Sequence, residues 1–186
     1  MDTRDAQTRE DLEVIAAETE RAVVVIRNLR SFVQRGRSEP QPCDLNQAVR
    51  LVAATRRYEL RARSIEPSLD LPSGLSPVMA VHEDLLHLIL ELLLDAEDAL
   101  LRAVSAANVA AAGESRFSGM ALELATAGAG PSVTIAATHA GGNLEIGPNG
   151  RRDTCAAMAR ELGGSLSNEQ LPNGRMRTTV LLPAAV

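Results

Sequence analysis

The feature that constrains the fold most is an apolar run at residues 82–103 with the period of an α-helix. Hydrophobic residues recur there every three or four positions: Leu85, Ile89, Leu92, Ala96, Ala99 and Ala103. Further leucines widen the stripe, so the sequence predicts a helix that is buried over most of its surface. Glu91, Asp95 and Asp98 follow one another at one-turn spacing along this helix. Such an acidic row is either a solvated edge or the wall of a site.

A second long helix is predicted for residues 5–35, because apolar positions alternate at spacings of three and four. Its seam consists of Leu12, Ile15, Ala22, Ile26, Leu29 and Val33. A stripe of this length needs a partner, either the chain's own domain or a second copy, and the regular spacing favours a homodimer. Gly36 fits a helix end, and Pro40 and Pro42 prevent continuation. The predicted organisation is therefore a dimerisation helix at 1–36, a linker at 37–43 and one domain at 44–186.

The remaining pattern mixes helices and strands. Asp44 fits an N-cap for a helix that runs to about Arg63, and a further helix fits 151–162. Short strands are predicted at 64–71, 78–81, 117–126, 132–139, 165–169 and 175–183. Pro67 restricts the first of these to a sheet edge or a bulge. Helices on one side of a mixed sheet give an α/β two-layer sandwich.

Composition excludes several classes of protein. The net charge of −5 argues against nucleic acid as a partner. The amino terminus is charged, and acidic residues interrupt the longest apolar run, so we expect a cytoplasmic protein with no membrane contact. Two cysteines, Cys43 and Cys155, are too few for a disulfide framework or a metal site and are expected to be reduced thiols.

The central helix resembles a known motif. Its residues Leu88-Ile-Leu-Glu-Leu-Leu-Leu-Asp-Ala-Glu-Asp-Ala-Leu are similar to the N-box helix of bacterial sensor histidine kinases and of the wider GHKL ATPases. Ile26-Arg-Asn-Leu-Arg-Ser-Phe resembles the end of a kinase dimerisation helix. Two further stretches follow in the family's order, beginning at Pro42 and at Gly174. The resemblance implies two-component signalling and the GHKL, or Bergerat, form of the two-layer sandwich behind the long N-terminal helix.

The resemblance also locates a nucleotide pocket whose residues are altered. Asp95 stands where the family has the asparagine that holds magnesium, and Glu91 stands where some branches have the general base. His139 replaces the aspartate that reads adenine, two residues before Gly141. Gly150 is the one glycine that remains of the phosphate turn, followed by two arginines that could bind an anion or merely begin a helix. The lid between the two glycine motifs is reduced to residues 143–149.

These departures favour a non-catalytic, pseudokinase-like signalling or scaffold protein. It would dimerise through its N-terminal helix, bind a protein such as a response-regulator receiver domain, and need no cofactor. One alternative is an atypical GHKL ATPase or histidine kinase fragment that binds ATP and Mg²⁺, with Glu91 as base and Asp95 on the metal. Another is a histidine phosphotransfer protein, which is disfavoured because the first 35 residues contain no histidine.

Overall fold

The computed structural model describes residues 39–110, 120–129, 132–139 and 150–185. Within these ranges the chain forms three helices and seven strands. The predicted dimerisation helix and its seam lie outside the described residues, and so does Gly141.

The three helices are α1 (Leu45–Ala62), α2 (His82–Ala110) and α3 (Gly150–Glu161). The side chain of Asp44 accepts a hydrogen bond from the backbone N–H of Gln47 at 3.0 Å, which confirms the predicted N-cap of α1. Helix α2 extends beyond the predicted 82–103, because its alanine-rich end stays helical to Ala110. Helix α3 ends at a turn in which Gly163 has a φ of 74°, a left-handed conformation that suits glycine.

The main sheet has five strands in the order β2, β4, β5, β7, β6. Their bounds are Ile65–Asp70 (β2), Met120–Ala129 (β4), Ser132–His139 (β5), Ser165–Gln170 (β6) and Met176–Pro183 (β7). Strands β2 and β4 pair in parallel and the other neighbours pair antiparallel, so the sheet is mixed as predicted. Strand β2 lies at an edge, which agrees with the constraint that Pro67 imposes.

A second, two-stranded sheet joins β1 (Gln41–Cys43) to β3 (Val78–Ala80). This corrects one detail of the predicted organisation, since the last three residues of the proposed linker belong to a strand. The physical reason is burial, because Cys43 and its cross-strand partner Val78 are both in the core. Pro42 is compatible with this position because a two-stranded ribbon consists of edge strands.

The core lies between the helices and one face of the main sheet. Buried and more accessible residues alternate along β4 and β7, as expected for a sheet with one covered face. Leu122, Leu124, Ile135, Val180 and Leu182 point into this core. They share this core with Leu85, Leu88, Ile89, Leu92 and Leu93 of α2, all of which are buried. This packing fixes the rotation of α2 and therefore the direction of its acidic row.

Candidate functional site

The acidic row of α2 faces the first turn of α3. The guanidinium of Arg152 lies 3.0 Å from the carboxylate of Asp95, measured between Nη2 and Oδ2. Asp95 is 2% exposed, so this ion pair is almost completely removed from water at its acidic end. A buried carboxylate needs such a partner, because an isolated charge in a low-dielectric interior is strongly unfavourable.

Arg151 binds two other members of the acidic row. Its Nη1 donates to Glu91 at 2.9 Å, and its Nε donates to Asp98 at 3.2 Å. Burial lowers the pKa of Arg151, but the hydrogen bonds and charges of Glu91 and Asp98 outweigh this effect, so its pKa is raised overall. Two arginines from α3 therefore engage all three carboxylates of the row.

His139, the last residue of β5, lies in the same region and is 3% exposed. Burial lowers the pKa of this imidazole. The charge of Asp95 opposes the shift, while Arg152, Arg175 and Arg102 add to it. Its Nδ1 has no hydrogen-bond partner in the part of the chain that the structure describes. His139 is therefore a neutral, buried group at physiological pH.

The structure brings together four of the five nucleotide-pocket residues suggested by the sequence. Glu91 and Asp95 lie on α2, His139 ends β5, and Gly150 is the first residue of α3. The fifth, Gly141, lies outside the described residues. The assignment of these residues to a degenerate nucleotide pocket stays a prediction.

Sequence reasoning missed the pairing between the arginines and the acidic row. It identified Arg151 and Arg152 at the start of a helix, but it gave them no partner within the chain. Only the packing of α3 beside α2 brings residues 53 to 60 positions apart into contact. A local contact could have been found from spacing, because His87 and Glu91 are i and i+4 and approach to 3.5 Å.

A separate ion-pair cluster lies on another face of α2. Glu97 is 1% exposed and accepts hydrogen bonds from Arg56 at 2.8 Å and from Arg63. This cluster joins the carboxyl end of α1 to α2, so it holds the two helices in register. We assign Glu97 a structural role, since its carboxylate is engaged by two arginines away from α3.

The arrangement limits the chemistry that the site can perform. Among the described residues, no group of three or more His, Cys, Asp and Glu side chains could hold a metal ion. The carboxylates that would bind a cation are instead bound to guanidinium groups. A cation or a phosphate group entering here must displace Arg151 or Arg152 or share their contacts.

The fold is that of the catalytic, ATP-binding domain of histidine kinases. It is defined by the sheet, by the helices on one face and by the position of this site. The catalytic domain of histidine kinase ThkA superposes with a TM-score of 0.62 at 14% identity, covering 79% of this chain and 98% of that one. The histidine kinase AdeS of Acinetobacter baumannii gives 0.59 at 15%, covering 100% of this chain and 87% of that one.

A third solved structure has the same fold. The mycobacterial sensor histidine kinase MprB gives a TM-score of 0.55 at 12% identity, covering 78% of this chain and 97% of that one. No family model matches the sequence, and no curated protein matches it either. These TM-scores establish the shared fold, and at such low sequence identity the similarity shows the fold alone. No helix in the described ranges has the length and apolar character required to cross a membrane.

Proposed function

We propose that this chain is a non-catalytic, histidine-kinase-like signalling protein that uses the kinase fold as a scaffold. The observation that carries the proposal is the occupation of the acidic row on α2 by Arg151 and Arg152. In a working site of this fold, the resemblance places magnesium at the position of Asp95. Here a guanidinium takes the place of the cation.

The energy of these contacts supports the proposal. Breaking a buried ion pair by removing one partner costs about 3 kcal/mol or more. A nucleotide that binds with a dissociation constant of about 1 μM gains roughly 8 kcal/mol. Displacing Arg152 from Asp95 would therefore weaken such a ligand by a factor of about 100, to a dissociation constant of about 100 μM before any further loss at the adenine end of the pocket.

His139 gives further support. The residue that reads adenine in the family is an acceptor carboxylate, whereas His139 is a neutral imidazole enclosed by the core. A neutral imidazole accepts through only one ring nitrogen, and only in the matching tautomer. Both ends of the pocket, for the base and for the metal, thus depart from what ATP requires.

The scaffold would act as a homodimer bound to a protein of the same pathway, with a receiver domain as the class that the kinase resemblance favours. Dimerisation would use the heptad seam at residues 12–33, which lies outside the described part of the chain. Neither ATP nor magnesium would be needed, and neither nucleic acid nor a membrane would be a partner. We expect the protein to work in the cytoplasm.

Binding of a fluorescent ATP analogue, with and without Mg²⁺, tests the lack of nucleotide chemistry. We expect no saturable binding below about 1 mM and no ATP hydrolysis. Asp95→Asn, which places the family's residue at this position, is the matched variant. Magnesium-dependent binding by the natural protein, together with turnover that Glu91→Gln abolishes, would instead establish the atypical ATPase.

Sedimentation equilibrium tests the dimer. The natural chain is expected to sediment as a dimer, and a variant with Leu12→Asp and Ile26→Asp is expected to be monomeric because both changes place charges in the seam. Arg27→Asp, which introduces the same residue outside the seam, should leave the dimer intact. A natural chain that sediments as a monomer would contradict this part of the proposal.

A further inference from the structure

Helix α1 has an apolar stripe on the face that points away from the core. Leu51 is 47% exposed and Tyr58 is 66% exposed, and they are two turns apart. Ala54 and Ala62 continue the same stripe and are also exposed. The opposite face of the helix packs into the core through Val49, Val52 and Leu60. Helix α1 is therefore apolar on two sides, although only one side is covered in the described structure.

A row of arginines runs beside this stripe. Arg50, Arg57 and Arg61 are exposed and are spaced by seven and four residues, which places them along one line of the helix. None of the three forms an ion pair with a described residue. Arg56 and Arg63, at the same end of the fold, are both bound to Glu97. Arg56 and Arg63 therefore stabilise the fold, whereas Arg50, Arg57 and Arg61 face solvent.

The charge of this surface is opposite to that of the whole chain. The sequence carries a net charge of −5, yet α1 contains four arginines and one glutamate. Arginines that have no ion pair among the described residues, in a line beside an exposed tyrosine and leucine, form a surface that attracts carboxylates. Tyrosine and arginine are also the residue types that most often carry binding energy at protein interfaces.

We propose that the outer face of α1 docks an acidic amphipathic helix of a partner protein. Apolar residues of that helix would pack along Leu51, Ala54 and Tyr58, and its Asp or Glu side chains would pair with the arginine row. In coiled coils, the same combination of an apolar seam and flanking opposite charges determines which helices associate.

A helix is the occupant that fits these observations. The stripe is narrow and straight, and it has about three turns of length, which matches one helix packed along another. The arginines flank the stripe on one side, so they would select the orientation of the partner. A nucleic acid could contact the arginines through its phosphates, but it would leave the apolar stripe without a contact.

This inference goes beyond the proposed function. Helix α1 packs on a different face of α2 from α3, because Glu97 binds α1 whereas the acidic row binds α3. The surface therefore does not depend on whether the acidic row binds a nucleotide. A failure of either proposal would leave the other standing.

The test uses a designed helical peptide of about 20 residues, with leucines along one face and glutamates beside them. A control peptide carries lysine at every glutamate position. Tyr58 is the only tyrosine and the chain contains no tryptophan, so intrinsic tyrosine emission of the full chain reports this surface directly. Fluorescence anisotropy of a dye-labelled peptide gives the affinity independently of that signal.

We expect saturable binding of the glutamate peptide, a change in Tyr58 emission, and binding at least tenfold weaker for the lysine peptide. Replacing Arg50, Arg57 and Arg61 together by Glu should weaken the glutamate peptide at least tenfold, and Leu51→Ser should weaken it severalfold. Arg160→Glu is the matched control, because Arg160 is an exposed arginine on α3, and it should change the affinity less than twofold. Circular dichroism checks that each variant is folded.

Three results would overturn the proposal. The first is no binding of the glutamate peptide, or equal binding of the two peptides. The second is an affinity that the arginine reversals leave unchanged. The third is tighter binding of a labelled duplex DNA or of phosphatidylserine vesicles than of the glutamate peptide, which would make the surface a general polyanion site.

Discussion

The Nη2 atom of Arg152 lies 3.0 Å from Oδ2 of Asp95, and the side chain of Asp95 is 2% exposed. Residues from two helices thereby neutralise each other at the centre of the candidate site. The charge of Asp95 makes the site attractive to a cation, and Arg152 supplies that cation from within the chain. This contact is part of the fold and also underlies the proposed loss of nucleotide chemistry. Its contribution to stability can be measured.

Arg152→Gln is expected to lower the free energy of unfolding by about 3 kcal/mol, because it removes the guanidinium group that binds the buried carboxylate of Asp95. Urea denaturation measures this change. Arg160→Gln, in the same helix but exposed, should cost less than about 0.5 kcal/mol. The double variant Arg152→Gln with Asp95→Asn should recover part of the loss, and strictly additive losses would contradict direct coupling.

Glu97→Gln is expected to destabilise the fold by about 3 kcal/mol, because Glu97 is 1% exposed and its charge is shared by Arg56 and Arg63. Asp98→Asn should cost less than about 1 kcal/mol, since the Asp98 side chain is 37% exposed and its pair with Arg151 is screened by water. Thermal or urea unfolding at neutral pH measures both changes. Equal losses of stability in the two variants would show that burial does not determine how much each carboxylate contributes to stability.

Stability should fall as the pH drops below about 6.5, because burial lowers the pKa of His139 from its ordinary value of 6.5. In the unfolded chain the imidazole takes up a proton through that range, whereas in the folded chain it stays neutral to lower pH. The unfolded state therefore binds more protons, and His139 contributes a loss of up to about 1.4 kcal/mol per pH unit.

Urea denaturation between pH 8 and pH 5 measures this effect, and His139→Gln should reduce the slope. His87→Gln is the matched control, since the side chain of His87 is 36% exposed. A slope that is unchanged in His139→Gln would assign the pH dependence to other groups.

Both cysteines should react with a thiol reagent only after unfolding. Burial raises the pKa of Cys155 to about 12 and also raises the pKa of Cys43, so little thiolate exists at pH 8. We expect very slow reaction of the native protein with Ellman's reagent and the rapid release of two equivalents in denaturant. Fast native labelling of Cys155 would indicate that α3 opens readily from the core.

Much of the fold could be predicted because its signals are local. The period of apolar residues in α2, the cap at Asp44 and the edge position required by Pro67 each depend on neighbouring residues, and each is confirmed. Strand β1 was missed, and the end of α2 was not determined. An alanine-rich segment and a proline-containing one are locally ambiguous, and packing of the surrounding residues decides between helix, strand and loop.

The candidate site could be predicted only as a set of positions. The spacing of Glu91, Asp95 and Asp98 identified an acidic row, but spacing cannot say what lies opposite that row. His139 looked like a substituted adenine reader, while the structure adds that the core encloses it and lowers its pKa.

The sequence by itself determined most of the helices and strands, their apolar faces and the side chains that could carry chemistry, because these properties repeat with the short periods of the backbone. Tertiary structure alone decided that Arg151 and Arg152 bind the acidic row, that Glu97 joins α1 to α2, and that Arg50, Arg57 and Arg61 remain without an ion pair among the described residues. The physical reason is that ion pairing depends on distance and burial, and the packing of distant segments sets both.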